Sequence, residues 1–274
     1  IVESANEGFT FDLGTIVPDI VGVDAADIIL NMTTTTATIT DDDSYDALFA
    51  VTSISQFEEV GDMTFEVTLT KEVDVDVEVT VDFTADITEA EDFTGGYPVS
   101  SMTLTFLAGS TSETFDALIA QETLVELNET FNFGISAVAT VNGEIRALVD
   151  SGSDNGSIGT IQNQDDTEVY LSVVDDAVTE GDGTSFGYRL NVTNPVEGGM
   201  TVDYATQDGT AMNAGDAAIG QTDYTSTSGT ITFDAATINQ LSDISIAIDD
   251  DNIIEASDEE FTLNIGTITP VQAL

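Results

Sequence analysis

Histidine, cysteine and tryptophan are absent from this chain of 274 residues, and positive charge nearly so: 3 Lys and Arg face 52 Asp and Glu. No disulfide, no Cys/His zinc site, no Ser-His-Asp or Cys-His nucleophile system and no His- or Cys-ligated haem is open to such a sequence. Lys71, Arg146 and Arg189 cannot neutralise a formal net charge of −49. The surplus repels nucleic acid and anionic membrane surfaces, so neither is an expected partner. No apolar run approaches the roughly 18 residues of a membrane span, and direct membrane insertion is not expected. A basic-then-apolar opening is also missing; an exported protein would have lost its signal ahead of residue 1. A secreted domain without disulfides needs another staple, and a bound metal is one.

What is present is a folding sequence. Hydrophobic residues make up 41% of it, with 14 Phe, which sets it apart from a disordered acidic tail. Apolar and polar residues alternate with period two in "VDVDVEVTVDF" (73–83), "FEVTL" (65–69), "LTF" (104–106), "FNFGI" (131–135), "ITF" (231–233), "ISIAI" (244–248) and "FTLNI" (261–265). Each reads as a strand with one face in a core and the other in water, separated by Gly, Asp, Asn and Thr turns. Only "DAATINQLSD" (234–243) suggests a turn of helix. The expected class is all-β.

The chain also repeats itself. Glu59, Phe65 and Leu69 recur as Glu180, Phe186 and Leu190, and "VTVDF" (79–83) as "MTVDY" (200–204), each 121 residues on. "EDF" (91–93) returns as "TDY" (222–224), and "MTLTF" (102–106) as "GTITF" (229–233). A partial copy opens the chain: "FTFDLGTIVP" (9–18) and "FTLNIGTITP" (261–270) share six of ten positions, and Glu3 falls on Glu255. The organisation expected is therefore 1–43 as the last strands of a preceding domain, 44–166 as a complete domain, and 167–274 as a domain lacking its last strand. Repeats of this size, built of short strands, suit end-to-end β-sandwiches better than propeller blades or solenoid coils. A segment of a longer array is the plain reading; strands shared between copies, giving a homopolymer or filament, is the sharper one.

The stretches "TEGDGTSFGYRL" (179–190), "VDYATQDGTA" (202–211), "TDY" (222–224), "SGTITF" (228–233) and "IDDDNIIEASDEEF" (248–261) resemble the Calx-β family in order and spacing. That resemblance implies tandem immunoglobulin-like Greek-key sandwiches, as in the repeats of large bacterial surface or adhesin-type proteins. In calcium-binding members, carboxylates from several loops meet at one end of the sandwich. Carried over, the resemblance implies Glu180, Asp208, Asp249, Asp250, Asp251 and Glu255 as ligands in the third unit. In the second it implies Glu59, Asp86, Glu122, Glu126, Asp165 and Asp166, with Ala120 and Gln121 standing where two aspartates of the triple Asp would be. In the leading remnant the candidates are Glu3, Asp41, Asp42 and Asp43.

Electrostatics agrees independently. Two carboxylates about 4 Å apart repel by roughly 1 kcal/mol in water and about 4 kcal/mol at an effective dielectric near 20. Loops such as "DDDNIIEASDEEF" (249–261) would spring open unless a cation intervened, and Ca2+, with about 6–8 oxygen ligands in irregular geometry, suits them better than Mg2+. Other features carry no chemistry. The alternating acids of 73–83 read as a solvated sheet face, "TTTTAT" (33–38) as a Thr-rich strand, and "DSGSDNG" (150–156) as a turn without EF-hand spacing. Four N-x-S/T triplets, at Asn31, Asn128, Asn155 and Asn191, are expected by chance in so Asn- and Thr-rich a chain.

Three function classes compete. A calcium-stiffened spacer or stalk of an extracellular, cell-surface adhesin is favoured by tandem units, by acid at the junctions Asp43–Ser44 and Asp166–Thr167, and by neighbouring repeats of the same array as natural partners. A ligand- or surface-binding module with merely solubilising acid would show clustered exposed aromatics, but aromatics are only 7% and mostly alternate inward. An enzyme, such as a two-carboxylate glycosidase, fits poorly with no His and no obvious cleft-forming insertion.

Overall fold

A computed structural model describes the chain apart from residues 4, 20, 30, 32–33, 140–146, 150–154, 176, 182, 214–221, 251–252, 255–256 and 272–274, with 147–149 described by backbone alone. The chain is all-β. It opens with a two-stranded antiparallel ribbon, β1 (Glu7–Asp12) and β2 (Thr34–Ile39), in which Phe9 lies opposite Ala37 and Thr10 opposite Thr36. Every residue of both strands is exposed.

The next nine strands are β3 (Tyr45–Phe49), β4 (Ser53–Phe57), β5 (Met63–Leu69), β6 (Val77–Ala85), β7 (Ser101–Phe106), β8 (Ser112–Ala117), β9 (Glu129–Val138), β10 (Ala147–Val149) and β11 (Gly156–Gln162). They form a four-stranded sheet, β10-β3-β5-β8, and a five-stranded one, β4-β11-β9-β6-β7. Their alternation is the cause of the layering: β5 and β9 bury every second residue, turning Phe65, Val67, Phe131, Phe133 and Ile135 inward. The Phe65, Phe115, Phe131 and Phe133 rings meet edge-on or stacked, with Phe115 and Phe133 centroids 4.8 Å apart. The acidic alternation of 73–83 is not one strand. β6 begins at Val77, while Val73 forms a separate parallel bridge with Val2, and both valines are buried.

The last six strands are β12 (Val169–Val173), β13 (Ser185–Val192), β14 (Met200–Asp208), β15 (Ser228–Phe233), β16 (Gln240–Ala247) and β17 (Phe261–Pro270), in two three-stranded sheets, β12-β13-β16 and β15-β14-β17. Leu190, Val192, Ile244 and Ile246 of the first face Met200, Val202, Phe233 and Leu263 of the second across one core. No helix forms over 234–243. Asp234 instead accepts the Ala236 and Thr237 N–H groups in a tight turn, Asn239 takes φ +54°, and β16 starts at Gln240.

By contacts the chain divides into two compact units. The first is Ile1–Gln56, Gly61–Ala120 and Glu129–Thr160; the second is Phe57–Val60, Gln121–Asn128 and Ile161–Leu274. The short connections after β4 and before β9 thus belong with the C-terminal sandwich. Val125 accounts for the second of them. Its N–H donates to the Pro195 carbonyl at 3.0 Å, its own carbonyl accepts from the Glu197 N–H at 2.9 Å, and it bridges in parallel with Val196.

Gly159 of β11 shows how tightly the first unit closes: a Cβ there would stand 2.2 Å from the tip of the Phe131 ring, which is 0% exposed and hemmed in by Phe65, Phe93 and Phe133. Gly159→Ala should therefore destabilise this unit by about 1–3 kcal/mol, the usual cost of overpacking, read as a lowered denaturation midpoint with an unchanged m-value.

Candidate metal sites

Three acidic places on the fold correspond to the repeats. In the C-terminal sandwich the loops after β14, before β15 and after β16 meet beside Tyr224, which is 0% exposed. Asp208 Oδ1 accepts from the Tyr224 hydroxyl at 2.6 Å and from the Asn213 backbone and side-chain N–H groups at 3.0 and 2.8 Å. These donors, the Tyr224 hydroxyl foremost, hold the Asp208 carboxyl below the usual carboxylate range. Gly209 lets this turn lie against β17, since a Cβ would sit 2.3 Å from the Glu260 carbonyl oxygen. Asp223 accepts the Met212 N–H at 2.6 Å, the Asp249 N–H donates to the Asp223 carbonyl at 3.0 Å, and the Thr225 hydroxyl donates to Asp249 at 3.2 Å. The loops that carry Asp208 and Asp249 are thereby tied together through Tyr224, Asp223 and Thr225. Glu180 and Asp250 are exposed, and Asp251 and Glu255 lie outside the described residues. Among the described residues, no group of three carboxylates within 4.8 Å includes Glu180, Asp208, Asp249 or Asp250.

The place corresponding to the second repeat is different. Glu58, Glu122 and Glu126 bring one carboxylate oxygen each within 4.8 Å of one another, all three within the second compact unit. Glu58 is 2% exposed and the other two are half-buried. The segment after β11 runs alongside: Gln164 donates to Glu58 at 3.3 Å, and Asn163 donates to the Glu126 carbonyl at 2.6 Å. Asp165 Oδ2 and Gln164 Oε1 are buried there without a hydrogen-bond partner. Of the residues expected from sequence, the structure joins Glu122 and Glu126 here. Glu59 is exposed and contributes its backbone carbonyl to Gln121 at 3.0 Å, so it is the preceding residue that turns its carboxylate inward. Asp166 is exposed and uses its carbonyl to accept from Asn194 at 2.8 Å. Asp86 is exposed and accepts from the Thr130 hydroxyl at 2.7 Å. Glu58 escaped the sequence reading because the Glu-x-Gly spacing of 59–61 matches 180–181 only approximately; the short 3-10 turn Glu58–Val60 decides which of two adjacent glutamates points in.

In the leading segment Asp41 accepts the Glu3 and Asp43 N–H groups at 2.8 and 3.1 Å, and Lys71 pairs with Asp43 at 2.5 Å. Glu3 and Asp43 thus reach Asp41 through their backbones, the lysine pairs with Asp43, and Asp42 is exposed. The other described cation, Arg189, forms a two-pronged pair with Asp243 at 2.6 and 3.0 Å.

The Calx-beta domain family matches residues 28–158 and 162–273. The chain belongs to the Calx-β family. Its solved relatives include CBD12 from CALX1.2 (16% identity over 81% of this chain and 80% of that one, TM-score 0.37) and the calcium binding domain CBD12 of CALX1.1 (16%, 81% and 79%, TM-score 0.37). The apo-form Calx CBD1 domain matches 45% of this chain with all of its own length, at 13% identity and TM-score 0.38. No curated protein matches the chain. Within the Calx-β frame, the tandem copies and the sheet pairs described above are one domain type used twice. Corresponding irregularities recur on its central strand, between Thr80 and Val81 of β6 and between Val202 and Tyr204 of β14.

The Tyr224–Asp208 bond generates a pH prediction. A carboxyl whose folded pKa is depressed contributes stability above its unfolded pKa of about 3.9 and loses it as pH falls through the lower folded value. Tyr224→Phe should raise the Asp208 pKa toward the ordinary value and lower stability at neutral pH. The gap between wild type and variant should close in acid below about pH 4, read by urea denaturation across pH and by NMR titration of Asp208.

Proposed function

We propose that the chain is a calcium-binding, calcium-rigidified structural repeat, a spacer or stalk of an extracellular adhesin or cell-surface filament. The observation that carries this reading is the convergence of Glu58, Glu122 and Glu126 within 4.8 Å on a carboxylate that is 2% exposed. The residues present fit a hard cation: the converging donors are all carboxylate oxygens, and the neighbouring Asp165 Oδ2 and Gln164 Oε1 are buried oxygens with no partner. Magnesium, which prefers a small octahedron and keeps its waters, fits a carboxylate-dense pocket less well. When bound, calcium supplies the positive charge that lets these side chains stay together.

The local architecture supports a stiffening role for the ion. Glu122 and Glu126 flank Val125, whose backbone is bonded to Pro195 and Glu197, and Glu58 comes from a separate short connection. An ion held by all three ties both connections to the C-terminal sandwich, so occupancy is felt as stiffness. The array-like repetition supports neighbouring repeats of the same kind as partners, and extracellular calcium modules bind with dissociation constants of about 0.1–1 mM, which suits a rod that is stiff outside the cell and slack where calcium is scarce. Strand sharing between copies would extend such a rod into a homopolymer.

Melting in chelator and then in millimolar calcium tests the reading. An ion that binds only the folded state adds about 1.4 kcal/mol at ten times its dissociation constant, a rise in Tm of about 3–8 °C for a unit of this size. Glu126→Gln should lose most of that rise while melting like wild type in chelator. An equal response to magnesium, or none to calcium, would sink the proposal; an unchanged scattering profile on calcium addition would sink its stiffening half.

A further inference from the structure

One corner is built twice, once within each compact unit. In the first, the Val2 N–H donates to the Glu72 carbonyl at 2.8 Å, and the Asp74 N–H to the Val2 carbonyl at 3.1 Å. In the second, Val125 makes the same two bonds with Pro195 and Glu197. The Asp46 N–H donates to the Thr70 hydroxyl at 2.8 Å, and the Glu168 N–H to the Thr193 hydroxyl at 2.9 Å. The Thr70 and Thr193 N–H groups return bonds to the Asp46 and Glu168 carbonyls. The Asp43 N–H donates to Asp41 Oδ1 at 3.1 Å, and the Asp165 N–H to Asn163 Oδ1 at 2.7 Å. These bonds match the two corners residue by residue: Asp43 with Asp165, Thr70 with Thr193, and Lys71 with Asn194. The 121-residue repeat of the sequence hides this, because it sets Lys71 against Val192.

Within this shared frame the two corners treat their aspartates differently. Lys71 Nζ lies 2.5 Å from Asp43 Oδ1. Asn194 carries no charge and spends its side-chain N–H on the Asp166 carbonyl at 2.8 Å. Asp165 Oδ2, on the residue that matches Asp43, is buried without a hydrogen-bond partner. The residue before it, Gln164, donates to Glu58 of the Glu58, Glu122 and Glu126 cluster. A buried carboxylate oxygen left unanswered is costly. The residue placed to answer it is the one that differs between the corners.

We propose that this position selects the cation. Lys71 answers its aspartate with a tethered ammonium, whereas Asn194 leaves Asp165 to the calcium ion of the Glu58, Glu122 and Glu126 site. The inference rests on the calcium reading above and adds the residue that makes that corner metal-dependent. A tethered ammonium is present at every calcium concentration, while a neutral asparagine makes the charge balance of Asp165 depend on the metal. Ammonium and calcium compete for one place, since like charges repel most where burial removes screening. The Lys71 pair is 43% exposed at both ends and contributes little to stability by itself. A lysine at 194 would instead face a buried carboxylate oxygen, where its charge counts for more.

Asn194→Lys in the full chain tests this against Asn194→Met, which removes the same bond to the Asp166 carbonyl and adds no charge. In chelator the lysine variant should melt a few degrees above the methionine variant, and adding Asp165→Asn to both should abolish the difference. By calorimetric titration Asn194→Lys should bind calcium roughly tenfold more weakly than Asn194→Met. Asn194→Arg, a second cation at the same place, should follow the lysine variant. Equal melting of the lysine and methionine variants in chelator would overturn the proposal. So would equal calcium affinity in the two where wild type binds the ion. Calcium binding absent from wild type and Asn194→Met alike would sink the calcium reading itself, and the selection with it.

Discussion

Mutual repulsion among 52 carboxylates, with 3 cations to answer them, is the constraint to which the rest of this structure conforms. The fold answers it first by dispersal. β-strands send alternate residues to water, so acids between apolar positions, such as Glu66, Asp203 and Asp243, stand on outer faces, where water screens them. It answers second by hydrogen bonding. Asp41, Asp92, Asp223 and Asp234 accept backbone N–H groups, and Asp208 adds a tyrosine hydroxyl, so loop geometry is set by the acids themselves. Lys71 and Arg189 are spent on single aspartates, Asp43 and Asp243. One convergence that it does not disperse is that of Glu58, Glu122 and Glu126, where burial of Glu58 removes screening and raises the cost of negative charge.

The same sandwich plan is used twice along the chain, and corresponding aromatics on the two copies sit in different surroundings. Where β11 is in place, Phe131 is sealed by a glycine on its neighbour. On β17 the equivalent Phe261 is half-buried and leans on Tyr224, with ring centroids 4.3 Å apart and nearly parallel. That stacking partner is also the hydroxyl donor to Asp208. Core packing and acidic-loop geometry therefore meet at one side chain, Tyr224.

Much of this was legible in the sequence. Period-two alternation separates inside from outside with no knowledge of partners, so the all-β class, most strands and the core aromatics follow from local pattern alone. Long-range self-similarity adds the tandem organisation and the family, because a scaffold used twice must repeat its inward residues at the same spacing. Alternation misled only where the backbone breaks: Val73 continues the pattern of β6 yet serves a separate bridge to Val2, a pairing that depends on a residue 71 positions away.

The acidic site was half legible. Residue type and repeat register led to Glu122 and Glu126, but which of Glu58 and Glu59 turns inward is set by a single 3-10 turn, where a rotation of one residue exchanges core for solvent. Nor could pattern reveal that the connection carrying Glu122 and Glu126 packs with the C-terminal sandwich, since that rests on the Val125 hydrogen bonds to Pro195 and Glu197. Composition and periodicity by themselves determined that this chain is an acidic, twice-repeated β-sandwich protein, because those properties are sums over local choices. Which carboxylates share a space, and which are already satisfied by a hydroxyl or a lysine, were decided only by tertiary structure, because each depends on atoms that the chain brings together from far apart.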